Sequence, residues 1–127
     1  WYGRMFEDFM KVEDLRIYNR RMNVKVKVVS KGEPKTVVSR NNGSTYRVAE
    51  ALVGDETGCI LLNLWNDDID RFEVGDVIEI RNGYVKLFKG FMRLNIGKNG
   101  EAKKVDEEPS KVNIDNNLSD RTHPGRI

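Results

Sequence analysis

Cys59-Ile-Leu-Leu-Asn-Leu-Trp65 decides the fold class. In an extended chain Ile60, Leu62 and Leu64 fall on one side, and Leu61, Asn63 and Trp65 on the other. This is the period-two pattern of a strand with one face on a core. The same pattern stands upstream in Asn23-Val-Lys-Val-Lys-Val-Val-Ser30, with Val24, Val26 and Val28 opposed to Lys25 and Lys27. β-Branched residues alternating with lysines make a half-buried strand.

Working outward, Tyr46 to Val53 reads as a further strand, joined to Cys59–Trp65 by the tight turn Gly54-Asp-Glu-Thr-Gly58. Lys31 to Ser44 holds Gly32, Pro34, Asn41, Asn42 and Gly43. It reads as a long loop that can close as a protruding hairpin at Asn42-Gly43. Asn66 to Phe72 is polar, with room for a short helical turn. Glu73-Val-Gly-Asp76 turns into a fourth strand over Val77 to Tyr84, with Ile78 and Ile80 inward. Val85 to Gly90 reads as a loop and Phe91 to Ile96 as a fifth strand, with Met92, Leu94 and Ile96 on one face and Phe91, Arg93 and Asn95 on the other. Five short strands with no heptad, long helical period or internal repeat predict an all-β small barrel or sandwich. Residues 1–10 read as an N-terminal extension with a short amphipathic helix through Met10, residues 11–104 as the domain, and 105–127 as a flexible tail. The tail is rich in Asp, Glu and Asn, so it has little apolar surface to offset the entropy of ordering.

Composition removes several functions. With 127 residues the chain fits one domain. One cysteine, Cys59, cannot make an internal disulfide, and one histidine with one cysteine cannot supply the roughly four ligands of a structural zinc site. His123, beside Pro124 and Gly125, is poorly placed for catalysis. Gly54-Asp-Glu-Thr-Gly58 lacks the Lys-Ser/Thr of a phosphate loop and carries two acids, the wrong sign for phosphate. Asp67, Asp68 and Asp70 read as a solvated acidic loop, since no Glu stands where a calcium loop needs it. The first ten residues, with Arg4, Glu7 and Asp8, do not read as a secretory signal. The sequence predicts no catalytic residue, no metal and no cofactor, and no membrane partner.

Charge is nearly balanced in total, at +2, and unevenly distributed. Residues 20–49 hold eight basic residues and one acid; residues 50–79 hold nine acids and one base; residues 80–100 hold five basic residues and no acid. Two basic blocks flanking an acidic one can form a positive groove that attracts a polyanion. They can equally be solvated faces that cancel across the surface.

The rings favour the groove. Trp65 ends its strand on the face opposite the core, Tyr84 ends the fourth strand, and Phe88 lies between Lys86 and Lys89 in the segment read as a loop. Flat rings interleaved with cations form a stacking platform for single-stranded nucleic acid, at about 1–3 kcal/mol per stacked base. Each ring could also serve ordinary packing, as Phe72, Tyr46 and Phe91 are expected to do.

Val53-Gly-Asp-Glu-Thr-Gly58, Leu64-Trp65, Val74-Gly-Asp76 and Gly83-Tyr-Val-Lys-Leu-Phe-Lys-Gly90 resemble the single-OB-fold single-stranded DNA-binding proteins of archaea and their metazoan relatives. Lys11-Val-Glu-Asp-Leu15 and Met22-Asn-Val24 resemble that family's lead-in and first strand. The likeness spans about residues 11–100. It implies a five-stranded OB-fold barrel that binds single strands through three aromatics, carried onto Trp65, Tyr84 and Phe88. Tyr84 stands where some archaeal members have Trp, which implies weaker stacking there. The resemblance also extends to Lys86, Lys89 and Arg93 as backbone contacts.

The resulting expectation is a non-enzymatic, sequence-tolerant binder of single-stranded DNA in replication, recombination or repair. It would be nucleoid-associated in an archaeal cytoplasm, or nuclear in a eukaryote. Trp65, Tyr84 and Phe88 stack bases, and Lys86, Lys89, Arg93, Lys35, Arg40 and Arg47 track the backbone, with Lys31 in the same first loop. RNA is the alternative ligand. A protein-interaction OB domain is the third reading, and Lys111-Val-Asn-Ile-Asp115 is a docking stretch for repair or replication proteins.

Overall fold

The computed structural model describes residues 9–107 and 111–120. Residues 1–8, and His123 with the chain end, lie outside the described residues. So does most of the expected N-terminal helix, of which Met10 forms an isolated bridge to Val24. Six strands follow: β1 (Met22–Lys31), β2 (Lys35–Val38), β3 (Thr45–Asp55), β4 (Gly58–Trp65), β5 (Val77–Phe88) and β6 (Phe91–Val105). One helical turn, α1 (Asp68–Arg71), lies between β4 and β5.

The strands pair in the order β1-β5-β6-β4-β3-β2, and β1 also pairs with β3. Five strands therefore close on themselves, as the OB-fold expectation requires, and β2 adds a sixth beside β3. Closure needs β1 to serve two neighbours. It pairs with β5 through Lys27 and with β3 from Lys27 onward, and a register break between Val28 and Ser30 marks the change. Such a bulge adds local twist and bends the strand around.

Inward positions match the sequence alternation. Val24, Val28, Ile60, Leu62, Leu64, Ile78, Ile80 and Leu94 are all fully buried. Each such aliphatic contributes about 1.5–3 kcal/mol on leaving water. Ile69 of α1 and Phe72 close one end of this core, so Phe72 is structural as expected. Val12 and Leu15 add the lead-in segment. The Gly54–Gly58 turn explains how that segment is held: Val12 N–H donates to Asp55 Oδ2 (3.0 Å), while Thr57 N–H donates to Asp55 Oδ1 (2.8 Å). Gly54 is required there, because a Cβ would stand 2.3 Å from the Gly58 carbonyl oxygen.

Three expectations change. The long loop at 31–44 carries a strand, β2, and the hairpin closes through Ser39–Ser44 with Gly43 at φ +70°. Val85 to Gly90 is not a loop: β5 runs to Phe88 and β6 starts at Phe91. Val85 and Leu87 alternate with Lys86 and Phe88, so this segment continues the period-two pattern. Only Lys89 and Gly90, at φ +52° and +88°, make the turn, the mirror-image two-residue type suited to hairpins.

The third change concerns the tail. β6 reaches Val105, and within the expected flexible tail 105–127 residues 111–120 pack on the sheet. Cys59 N–H donates to the Asn116 carbonyl (2.9 Å) and Leu61 N–H to Ser119 Oγ (2.9 Å). Leu118 and Ser119 are buried. The reason is local: β6 pairs with β4 only at Leu61–Asn63, which leaves the start of β4 with an open edge. The polar Asn and Ser residues that suggested disorder satisfy that edge instead.

Candidate nucleic-acid interface

Strand register assembles one outward face. Across β5 and β6, Tyr84 stands opposite Asn95, Lys86 opposite Arg93, and Phe88 opposite Phe91. The parallel β6–β4 pairing sets Asn63 beside Asn95. β3 then places Val48 opposite Trp65 and Glu50 opposite Asn63, and β2 places Lys35 opposite Val48. Tyr84, Lys86 and Phe88 are spaced two apart on β5, so all three point the same way.

Trp65, Tyr84 and Phe88 line a single concavity of about 260 Å³ together with Lys86, Arg93 and Asn95. Trp65 is 40% exposed and Phe88 53%, while Tyr84 is half-buried. A neighbouring concavity of about 490 Å³ shares Trp65 and Phe88 and adds Lys35, Val37 and Val48. The three rings are thus neither sealed in the core nor dispersed over the molecule. Exposed rings cost hydration energy unless something covers them, and here three converge on one hollow.

The cations divide into two groups. Arg93 is nearly buried; its Nε donates to Glu50 Oε2 at 2.7 Å, and its guanidinium lies 5.7 Å from the Phe88 ring centre. Arg47 is held by Asp70 (3.2 Å) and by the Asn66 carbonyl (3.4 Å). Both are spent partly on protein carboxylates. Lys35, Arg40, Lys86 and Lys89 are exposed and form no ion pair among the described residues. Lys89 Nζ sits 5.4 Å from the Phe88 ring centre, within cation–π range. Arg40 lies in the turn beyond β2, and neither it nor Arg47 lines the ring-bearing concavities.

The acidic block accordingly meets the basic blocks in part. Lys31 pairs with Glu73, Arg47 with Asp70, Arg93 with Glu50 and Lys25 with Glu79. The cancelling-faces reading holds for those residues; on the ring face Lys86 forms no ion pair among the described residues, while Glu33 and Glu50 line the neighbouring concavity with Lys35.

Sequence reading did not assign Asn63 and Asn95 to the site. Asn63 Nδ2 donates to Asn95 Oδ1 at 3.1 Å, and this amide pair lies between the rings. The signal was present: both are polar residues at outward positions of otherwise apolar strands.

The family described as single-stranded DNA binding protein Ssb-like, OB fold, matches residues 15–104. The chain is 36% identical over 120 residues to an uncharacterized protein of Arabidopsis thaliana, spanning 87% of this chain and 78% of that protein. It is 33% identical over 98 residues to the single-stranded DNA binding protein Ssb of Saccharolobus solfataricus, spanning 77% of this chain and 65% of that one. Among solved structures, a hypothetical protein from Arabidopsis thaliana superposes with a TM-score of 0.74 at 35% identity, covering 87% of this chain and 82% of its own. The second OB-fold domain of replication protein A from Methanococcus maripaludis shares the fold, with a TM-score of 0.65 at 20% identity over 80% of this chain and 98% of that one.

Proposed function

Since this chain belongs to the Ssb-like OB-fold family of single-stranded DNA binding proteins, matched over residues 15–104, we propose that it binds single-stranded DNA by stacking bases on Trp65, Tyr84 and Phe88. Lys86, Lys89 and Lys35 contact phosphates along the rim, and displaced counterions drive the association. One observation carries the reading: three outward rings share one hollow with Lys86, Lys89 stands over Phe88, and neither lysine forms an ion pair among the described residues. Stacking tolerates any base, because every base has a π-face. Arg93 acts mainly through Phe88, which it backs, rather than as a free phosphate contact. Coating exposed strands in replication, recombination or repair is the cellular role that fits such sequence tolerance.

The test is titration of oligo-dT with the Trp65→Ala/Phe88→Ala double variant. We expect a loss of roughly 2–6 kcal/mol of binding for two stacked bases. Unchanged affinity in a folded double variant would remove the proposal. Competition with a matched RNA oligomer separates DNA from RNA, which differ at the 2′-hydroxyl.

A further inference from the structure

We propose that the DNA track continues beyond Tyr84 into a second subsite, where one more base stacks on Tyr18 and its flanking phosphates meet Arg20, Arg21 and Lys98. The inference rests on the single-strand reading above and extends its footprint.

A second concavity, of about 640 Å³, has Tyr84 in its wall but neither Trp65 nor Phe88. Tyr84 and Lys86 line it and also line the ring-bearing hollow, so the two surfaces are continuous. Its other walls include Tyr18, Arg20, Arg21 and Lys98, and no carboxylate lines it. All three cations are exposed, and none forms an ion pair among the described residues. A hollow with four cations, counting Lys86, and no acid selects a polyanion.

The position of Tyr18 is imposed by the fold. Beyond Gly83, β5 no longer pairs with β1, so the Val85 N–H needs another acceptor. It donates to the Asn19 carbonyl at 3.0 Å, which pins the loop 16–19 against β5 beside Tyr84. Asn19 Oδ1 in turn accepts from the Arg16 N–H at 2.6 Å. The resulting turn holds Tyr18 at φ +70°, a left-handed conformation that a bulky residue adopts at a cost. No packing gain offsets that cost, because Tyr18 is 62% exposed. Glycine would suit the backbone better, and a ring is what stands there.

The measurement is fluorescence anisotropy with labelled oligo-dT of roughly 4 and roughly 12 nucleotides, bracketing much of the range covered by one OB fold. Tyr18→Gly removes the ring and relieves the backbone, so folding is not at risk; Tyr18→Phe keeps the ring. We expect Tyr18→Gly to weaken binding of the long oligomer by roughly 5- to 150-fold, the value of one stacked base. Tyr18→Phe should bind it as the unaltered protein does, and the short oligomer should not distinguish the three. Arg20→Gln/Arg21→Gln should flatten the salt slope on the long oligomer by about 1.4, at about 0.7 per lost phosphate contact. Equal affinity of Tyr18→Gly and the unaltered protein for the long oligomer overturns the subsite. So does an equal loss on both lengths, which would place Tyr18 within the main hollow. Failure of the unaltered protein to bind either oligomer would instead overturn the single-strand reading itself.

Discussion

Arg93 on β6 reaches across β4 to Glu50 on β3, with Nε 2.7 Å from Oε2, and this ion pair lies in the floor of the ring-bearing face. The Arg93 side chain is 11% exposed and that of Glu50 43%. On the proposed reading, a carboxylate at the edge of this surface opposes phosphate binding while anchoring the arginine that backs Phe88. The pair therefore trades affinity for ring placement.

Glu50→Gln follows from this directly. It removes the opposing charge and keeps an acceptor for Arg93. Binding of oligo-dT should tighten by roughly two- to fivefold at low salt, the scale of an exposed charge interaction. Arg93→Ala should weaken binding despite the loss of an ion pair, because Phe88 loses its support. Isothermal titration at two salt concentrations reads both effects; weaker binding by Glu50→Gln would contradict the assignment of Glu50 as an opposing charge.

Salt dependence gives a second check. A few phosphate contacts from Lys35, Lys86 and Lys89 predict a slope of log affinity against log salt of roughly −2 to −4, at about −0.7 per phosphate on a single strand. Lys86→Gln should reduce the slope by about 0.7. A flat response would leave the lysine rim without a role.

Ser119→Ala tests the C-terminal segment. Ser119 Oγ donates to the Met92 carbonyl and accepts from the Leu61 N–H, and the residue is 6% exposed. Removing the hydroxyl takes the acceptor from the Leu61 N–H and leaves the Met92 carbonyl with its bond from Arg93 Nη1. We expect a loss of about 1–3 kcal/mol in urea unfolding, and Leu118→Ala should cost about 2–5 kcal/mol. Binding of oligo-dT by the folded variants should be unchanged, since none of residues 111–120 lines the ring-bearing hollows.

Cys59 reports on the same segment. Its thiol is fully buried, with Ile114 O 3.8 Å from Sγ, and burial pushes its pKa up, helped by the charges of Asp120 and Asp115. The folded state therefore holds the proton more tightly than the unfolded chain, whose thiol titrates near about 8.5. Its contribution to stability is complete below that value and declines as pH rises through it toward the folded value. Alkylation at neutral pH should be slow in the native protein and should accelerate in Ser119→Ala, as mass spectrometry would show. Rapid labelling of the native protein would mean that residues 111–120 do not cover Cys59.

Strand content was legible because Val24, Val26 and Val28, or Ile60, Leu62 and Leu64, encode their own side of the sheet. Period two is a local property of an extended chain. The extent of β5 was not read, although Val85-Lys-Leu-Phe88 alternates, because Lys89-Gly90 drew the preceding residues into the turn. Of the ring triad, only Trp65 could be read as outward-facing from the same alternation, since Tyr84 ended its strand and Phe88 fell in the segment read as a loop. What residues 111–120 do could not, since polar composition describes a free tail and an edge cover equally well.

Residue order thus determined which side chains face the core and which face water along each strand, and the pattern Gly83-Tyr-Val-Lys-Leu-Phe-Lys-Gly90 supplied two rings and two lysines. Only the tertiary structure decided which cations are available. Arg93 and Arg47 are held by Glu50 and Asp70, which stand 43 and 23 positions away, while Lys86 is left exposed. The physical reason is that charge pairing depends on distance in space, and strand closure brings together residues whose separation along the chain carries no trace of their contact.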